Sequence, residues 1–221
     1  LHQQTRNRGI GATLAVVAPR CEGEVILRID SDDLYEADHT RSMVTALLEN
    51  PLLGAVGCQL LEVRSDEKGR HSSRKTPTKQ NQVKRWLPWR NPLNHQTVAI
   101  RREALIKTGG YRDCMGFEDW DLWLRMGGSG YQIGNLSSCT VAARVDTEHL
   151  RRRHGWRYVI QEALFYKRQI DEGRISILIG ITAWIFRIPW RLSPEPVLGW
   201  WMGSKIRGLP AVDTTWITEF V

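Results

Sequence analysis

Three carboxylates lie within four residues of one another, at Asp30, Asp32 and Asp33. They follow the short apolar run Glu24–Ile29, a pattern that predicts a β-strand ending in an acidic turn. Charges this close together repel, and a hard divalent cation such as Mg²⁺ or Mn²⁺ relieves that repulsion through oxygen ligands. A cation held in this way could neutralise a departing diphosphate. A solvated surface turn is the alternative for this motif taken alone.

A second acidic pair, Glu118 and Asp119, opens a helix predicted over 119–127, after a stretch that contains Gly109 and Gly110. The N-terminus of a helix stabilises an ionised carboxylate. Such a carboxylate on the wall of a pocket could take a proton from a hydroxyl group. Helix capping alone is the alternative. Within the same helix, Asp121 and Arg125 are four residues apart and are predicted to pair on its outer face.

The hydrophobic pattern predicts a mixed α/β layer followed by a helical tail, with a boundary between 1–146 and 147–221. A polar, basic stretch over 64–82 predicts a loop or hairpin. The remaining predicted strands cover 54–63, 95–101 and 131–141. The remaining predicted helices cover 10–20, 36–49, 83–89, 102–108, 148–171, 174–188 and 195–207.

The 221 residues carry a net charge of +7, with 42% hydrophobic residues and ten Trp. A basic body around a small acidic cluster fits an anionic ligand or an anionic membrane surface. Nucleic acid is not expected as a partner, since no helix-turn-helix, zinc-finger or RNA-recognition pattern is present. The four cysteines are far apart, which predicts reduced thiols of a cytoplasmic protein. No run of 18 apolar residues occurs, so no transmembrane helix is predicted.

Taken together and in order, five motifs resemble the inverting family 2 glycosyltransferases, which have the GT-A fold. The resemblance covers about residues 5–210 and is closest to bacterial enzymes that build surface or capsular polysaccharide. The joint order is far more specific than any single motif. The motifs are Asn7–Leu14, Ile29–Asp33, Asn91–Val98, Gly109–Tyr111 and Glu118–Arg125.

The resemblance implies a role for each acidic residue. Asp30 and Asp32 would bind the nucleotide ribose and the metal-diphosphate, with Asp33 as their neighbour and Asp32 as the ligand of Mn²⁺ or Mg²⁺. Asp119 would be the general base that deprotonates the acceptor hydroxyl. Glu118 would position the acceptor or the base.

Further residues are assigned in the same way. Gly109, Gly110 and Tyr111 would line the acceptor side, and Asn94 and His95 would lie beside the donor sugar. A buried structural histidine is the alternative for His95. The expected donor is a nucleotide sugar, with a UDP-sugar favoured, and the expected acceptor is a saccharide or a lipid-linked saccharide.

The chain departs from the family pattern in two respects. The family domain opens with a strand and helix that hold the nucleotide base, and these do not precede Asn7, so we expect an N-terminally incomplete domain whose sheet lacks its first strands. The Gln-x-x-Arg-Trp motif of processive synthases is also absent, which favours transfer of a single sugar. The run Arg151–Trp156 occupies a similar place. It could meet the diphosphate, or it could be a solvated charge run.

The apolar segment Ile175–Trp190 is too short to span a bilayer and has Trp and Arg at its edge. It could lie in the headgroup region of a membrane, which would place the protein peripherally at the inner face, or it could pack on the catalytic core. A non-catalytic fragment that binds a membrane or an anionic partner is a second hypothesis. A metal-dependent hydrolase is a third, but His2 and His39 are not at convincing spacing for it.

Overall fold

The computed structural model describes residues 7–64, 71–145 and 153–193. Within these ranges a mixed sheet has the order β1-β5-β3-β6-β2, and β4 pairs separately with β3. The strands are β1 (Val25–Leu27), β2 (Leu34–Tyr35), β3 (Leu53–Arg64), β4 (His71–Arg74), β5 (Ala99–Arg101) and β6 (Gln132–Val145).

The centre of the sheet is the long parallel pair formed by β3 and β6. All other pairings are antiparallel, between β1 and β5, β5 and β3, β4 and β3, and β2 and β6. In a sheet with one exposed face, buried and exposed residues alternate along each strand. This alternation is weaker on β3 and β6, because helices cover both faces of the sheet.

Because β1 pairs antiparallel with β5, the turn after β1 and the segment before β5 meet at one edge of the sheet.

The helices divide between the two faces of the sheet. On one face, Met43 and Leu47 pack against Val56 and Leu60. On the other, Leu105, Leu122, Trp123 and Met126 pack against Ile100 and Ile133. The helices are α1 (Ile10–Val17), α2 (His39–Glu49), α3 (Gln80–Trp86), α4 (Arg102–Lys107), α5 (Glu118–Gly128), α6 (Trp156–Asp171) and α7 (Ile177–Leu192).

The helices α6 and α7 pack on α5 through an aromatic cluster that includes Phe117, Trp120 and Phe165. The rings of Phe117 and Phe165 stack with their centroids 4.8 Å apart. Glu162 of α6 is fully buried and receives hydrogen bonds from Arg187 and Arg191 of α7. The inner face of the tail thus packs on the sheet-bearing layer, as one of the two hypotheses for the tail expects. The predicted helix over 195–207 lies outside the described residues.

The predicted α/β fold class is confirmed, two local predictions are wrong, and one short strand was not predicted. The strand predicted over 95–101 opens as a 3-10 turn, His95–Thr97, and becomes a strand only at Ala99. The two-residue strand β2 was not predicted. Asp121 and Arg125 do pair, at 2.8 Å, but their side chains are 0% and 4% exposed rather than on an outer face. They are enclosed because α6 and the turn at Thr108–Gly110 cover this side of α5.

Two other predictions agree with the described structure. All four cysteines are free, with Cys58 and Cys139 buried. Among the described residues, the helices are too short or too polar to cross a bilayer. The stretch predicted as a loop or hairpin contains β4 and the start of α3, and its residues 65–70 are not described.

Candidate active site

The acidic turn is fixed at the sheet edge by the pairing of β1 with β5. Leu27 lies opposite Ala99, and the backbone N–H of Arg28 donates to the carbonyl of Val98 at 3.0 Å. Tyr35 then ties the turn to the 3-10 turn, since its hydroxyl accepts from the N–H of Asp30 at 2.9 Å and donates to the carbonyl of Gln96 at 3.0 Å. The acidic turn and His95 are neighbours for this reason.

Arg28 is a site residue that the sequence analysis missed. Its Nε and Nη2 donate to the two carboxylate oxygens of Asp30 at 2.9 and 2.8 Å, and its Nη1 contacts Nδ1 of His95. A signal existed in the sequence, because residues two apart on an extended segment project to the same side, which pairs Arg28 with Asp30. The contact with His95 depends on long-range strand pairing and leaves no local trace in the sequence.

His95 is held as a neutral imidazole. A guanidinium can only donate, so Nδ1 must accept from Arg28, and Nε2 carries the proton that it donates to the hydroxyl of Tyr111 at 2.9 Å. Burial lowers the pKa of His95 from 6.5 to about 4, against the opposing effect of Asp119. Nδ1 lies 3.8 Å from Oδ2 of Asp119, a contact that is not an ion pair while the ring is neutral.

Protonation of His95 should make stability depend on pH. Because its pKa is lower in the folded state, the unfolded chain binds a proton between about pH 6.5 and 4 that the folded chain does not. The free energy of unfolding should therefore decrease as the pH is lowered from about 6.5 to 4, by up to about 1.4 kcal/mol per pH unit. Urea unfolding of the wild type and of His95→Gln at several pH values checks this. Parallel curves for the two proteins would show that His95 titrates normally.

Asp119 stands at the start of α5 with both carboxylate oxygens engaged. Oδ1 accepts from the backbone N–H of Trp120 at 2.7 Å, and Oδ2 accepts from the side-chain amide of Asn91 at 2.5 Å. Its side chain is 13% exposed. These two hydrogen bonds hold the carboxylate in one orientation, and its remaining lone pairs stay available to a hydroxyl. Asn91 was quoted as part of a motif but was not assigned to the site.

Glu118 is buried beside Asp119 and differs from it in environment. Its Oε2 accepts from the backbone N–H of Gly116 at 3.0 Å. Burial, and then the charge of Asp119, raise the pKa of Glu118. Gly11 of α1 packs so closely that a Cβ there would lie 3.1 Å from Cβ of Glu118, so the first motif of the sequence also borders this site.

These contacts join the two acidic clusters into one network. Asp30 binds Arg28, Arg28 contacts His95, and His95 lies next to Asp119. Tyr111 closes the network from the other side of His95. The two carboxylate clusters, almost 90 residues apart in the sequence, therefore share one site.

The other predicted residues lie around this network with distinct contacts. Asn94 is buried and donates to the carbonyl of Cys58 at 3.0 Å, while its Oδ1 has no hydrogen-bond partner in the described part of the chain. Gly109 and Gly110 both have positive φ, of 81° and 68°, which makes the tight turn after α4 possible. The carbonyl of Gly110 accepts from Arg125 at 2.6 Å, so this turn holds Tyr111 in place rather than presenting a free backbone.

The acidic turn has the donor set that a divalent cation requires. Burial, together with the charges of Asp30 and Asp32, raises the pKa of Asp33 to about 7, and a bound cation would relieve this crowding. Asp32 is exposed on the same turn.

A second group of potential ligands is formed by His95, Glu118 and Asp119, whose ligand atoms lie within 4.8 Å of one another. Hydrogen-bond donors already occupy atoms of all three side chains, and the Arg28 guanidinium touches the ring of His95. A cation is therefore accommodated better at the acidic turn.

The site lies at the N-terminal end of α5, whereas a cavity of about 700 Å³ lies at the other end of this helix. That cavity is lined by residues that include Lys84, Lys107, Arg112 and Arg174, and it contains none of the predicted site residues.

The fold and site together define an α/β protein with an acidic turn after a strand and a second carboxylate pair at a helix start. The family model described as glycosyl transferase family 2 matches residues 2–109. Over these residues the chain is similar to this family. The resemblance given by the five motifs is confirmed.

Relatives and a solved structure are similar to the chain over most of its length. The amylovoran biosynthesis glycosyltransferase AmsE of Erwinia amylovora is 26% identical over 193 residues, covering 87% of this chain and 72% of AmsE. An Escherichia coli UDP-Gal:alpha-D-GlcNAc-diphosphoundecaprenol beta-1,3-galactosyltransferase is 26% identical over 202 residues, covering 91% of this chain and 73% of the relative.

In three dimensions the chain is similar to the mannosyltransferase PcManGT from Pyrobaculum calidifontis in complex with GDP-Man and Mn²⁺. The TM-score is 0.56 at 19% identity, and the match covers 90% of this chain. At this identity the likeness concerns the fold. The chain spans 60% of the length of PcManGT.

Proposed function

We propose that this protein transfers a sugar from a nucleotide-sugar donor to an acceptor hydroxyl in the biosynthesis of a bacterial polysaccharide. The observation that carries the proposal is the single network from Asp30 through Arg28 and His95 to Asp119. It brings a candidate diphosphate site and a candidate base into one place. The match to the glycosyl transferase family 2 model and a relative named for amylovoran biosynthesis support it.

On the donor side, Asp30 and Asp32 would bind the ribose and the metal-diphosphate, with Asp32 as the ligand of Mn²⁺ or Mg²⁺. The bound cation would supply positive charge to the departing diphosphate. The guanidinium of Arg28 donates to both carboxylate oxygens of Asp30 in the structure. The nucleotide-sugar donor would therefore compete with Arg28 for this carboxylate or reorient the guanidinium. The unpartnered Oδ1 of Asn94 is suited to accept a hydrogen bond from a sugar hydroxyl. A relative named for UDP-Gal supports a UDP-sugar as donor.

On the acceptor side, Asp119 would remove the proton from the attacking hydroxyl. Asn91 and the N–H of Trp120 hold its carboxylate in a fixed orientation. Attack from the face opposite the diphosphate would invert the anomeric centre. His95 would orient Tyr111 and Arg28 rather than carry charge, because its ring is neutral. Residues 1–146 would supply this site and residues 147–221 a helical extension.

Metal-dependent release of nucleoside diphosphate tests the proposal. The full chain, incubated with a panel of nucleotide sugars and a water-soluble saccharide acceptor, should release diphosphate only when Mn²⁺ or Mg²⁺ is present. Chelation should abolish release, and NMR of the product should show inversion. Release of free sugar without any acceptor would favour the hydrolase hypothesis instead. Turnover that continues in the presence of a chelator would show that the reaction does not require a divalent cation.

A further inference from the structure

The outward side of α7 is apolar over its first ten residues. Leu178 and Phe186 are 75% and 79% exposed, and Ile177, Ile181 and Ile185 are also exposed. No charged residue occurs between Ile175 and Phe186. A surface helix of a soluble domain normally carries polar residues on its outer side. Gly180 and Ala183 are buried on the inner side, so the first ten residues of α7 carry no charge on either side.

A stripe on α6 continues this surface. Trp156, Ile160 and Leu164 recur every four residues and are all exposed. The two helices run antiparallel, with Gly180 against Ile170 and with Arg191 near Arg153. In an antiparallel pair, residues rotated in the same sense away from the contact line reach the same side of the pair. Helical geometry therefore places the α6 stripe beside Ile181 and Ile185, and we call these exposed residues of α6 and α7 the outer face.

The charge around the outer face is positive. Residues 153–193 contain seven Arg or Lys and three Asp or Glu, a net charge of +4. Each acidic residue is already paired with a base: Glu162 with Arg187 and Arg191, Asp171 with Lys167, and Glu172 with Arg112 and Arg174. The surplus positive charge is therefore on Arg153, Arg157 and Arg168, with one further charge from the two arginines that share Glu162.

One exposed tryptophan belongs to the outer face, and another is bonded to α7 through its backbone. Trp156 is 65% exposed at the start of α6. Trp89 is also exposed, and its carbonyl accepts from Arg187 of α7 at 2.6 Å. Exposed apolar residues together with exposed Trp and a surplus of Arg on the same helices are the composition of a helix surface that lies in the headgroup region of a bilayer.

We propose that the outer face binds an anionic lipid membrane, with the apolar side chains of α7 inserted among the lipids. A second copy of the chain is a less suitable partner, because a two-fold dimer would place the surplus arginines of one copy against those of the other. An anionic lipid surface has the opposite charge to these arginines. Docking in this way does not require the proposed sugar transfer.

The outer face is also close to the candidate base. Trp89 lies against α7, and Asn91, two residues later, donates to Asp119. Arg90 stands between them, with its guanidinium 4.2 Å from the ring centroid of Trp86. If the proposed function holds, a membrane-bound molecule would present Asp119 to acceptors that are anchored in the lipid.

Vesicle flotation of the full chain tests the docking. The protein should float with vesicles of phosphatidylcholine that contain about one-third phosphatidylglycerol, and float less well at high salt, because screening weakens the attraction to anionic lipid. The double variant Leu178→Ser/Phe186→Ser should lower the partition coefficient about 100-fold, since two large side chains no longer enter the lipid. Both residues are exposed, so the thermal melting curve should not change.

Leu48→Ser/Ile106→Ser is the matched control, because these two residues are exposed on α2 and α4, away from the outer face. It should float like the wild type. A second double variant, Ile181→Ser/Ile185→Ser, should repeat the loss. Wild-type protein that does not float with the vesicles would overturn the proposal. Sedimentation would then show what covers the outer face: a monomer would indicate another part of the same chain, and a dimer would indicate a second copy. Flotation that the α7 variants leave intact would overturn it too. Transfer to a water-soluble acceptor should be unaffected by the α7 variants, which separates docking from catalysis.

Discussion

Replacing Asp119 with Asn should lower kcat/KM for sugar transfer by about 10²–10⁴-fold, the range that a general base contributes. The amide cannot accept the proton of the acceptor hydroxyl. It is nearly the same size as the carboxylate, so the packing at the start of α5 should survive. The loss should appear mainly in kcat, with the affinity for nucleoside diphosphate in the presence of Mn²⁺ unchanged, because Asp119 is assigned to the acceptor side.

Asp113→Asn is the control for this measurement. Asp113 is an exposed carboxylate on the loop that precedes α5, so this variant removes the same charge close by without touching the network. It should retain wild-type turnover. If Asp119→Asn also turns over normally, Asp119 is not the base, and the proton must leave by another route.

Replacing Arg125 with Met should lower the free energy of unfolding by about 3–5 kcal/mol, because it leaves the charge of Asp121 buried without its partner. Asp121 is fully buried and accepts from Arg125 and from Gln169 at 2.8 and 2.9 Å. Arg125 also donates to the carbonyls of Thr108 and Gly110. At about 2–4 °C per kcal/mol for a chain of this size, the loss should be plain in a thermal melt.

Two further variants separate burial from pairing. Asp121→Asn/Arg125→Met removes both charges and should be more stable than Arg125→Met alone. Lys167→Met breaks an exposed pair with the same four-residue spacing, Lys167 with Asp171, and should cost only about 0.3–0.5 kcal/mol. Equal losses for Lys167→Met and Arg125→Met would contradict the assignment of the buried pair.

The two carboxylate clusters could be predicted from local patterns, since each follows directly from residue types next to a strand or at a helix start. The network that joins the clusters could not. It depends on the antiparallel register that sets Leu27 opposite Ala99 and so brings Arg28 to His95. Register is decided by long-range packing, which leaves little mark on either segment alone.

Burial was the other quantity that local patterns could not supply. The spacing of Asp121 and Arg125 correctly predicted their pairing, but helical periodicity predicted the wrong environment for it. The side of α5 that carries them is covered by α6 and by the turn after α4, which come from distant parts of the chain. Similarly, the sequence of residues 177–186 is apolar whether α7 packs on the core or contacts lipid. Only the structure shows which side of α7 is packed and which side is exposed.

The central claim is that the acidic turn and the start of α5 serve one reaction, and a crystal structure of the full chain with Mn²⁺ and a non-hydrolysable nucleotide sugar tests it most directly. The anomalous signal of manganese should lie beside Asp32, with the sugar between the metal and Asp119 and its anomeric carbon open to a hydroxyl held by that carboxylate. A metal bound among His95, Glu118 and Asp119, or a sugar pointing away from Asp119, would contradict the account.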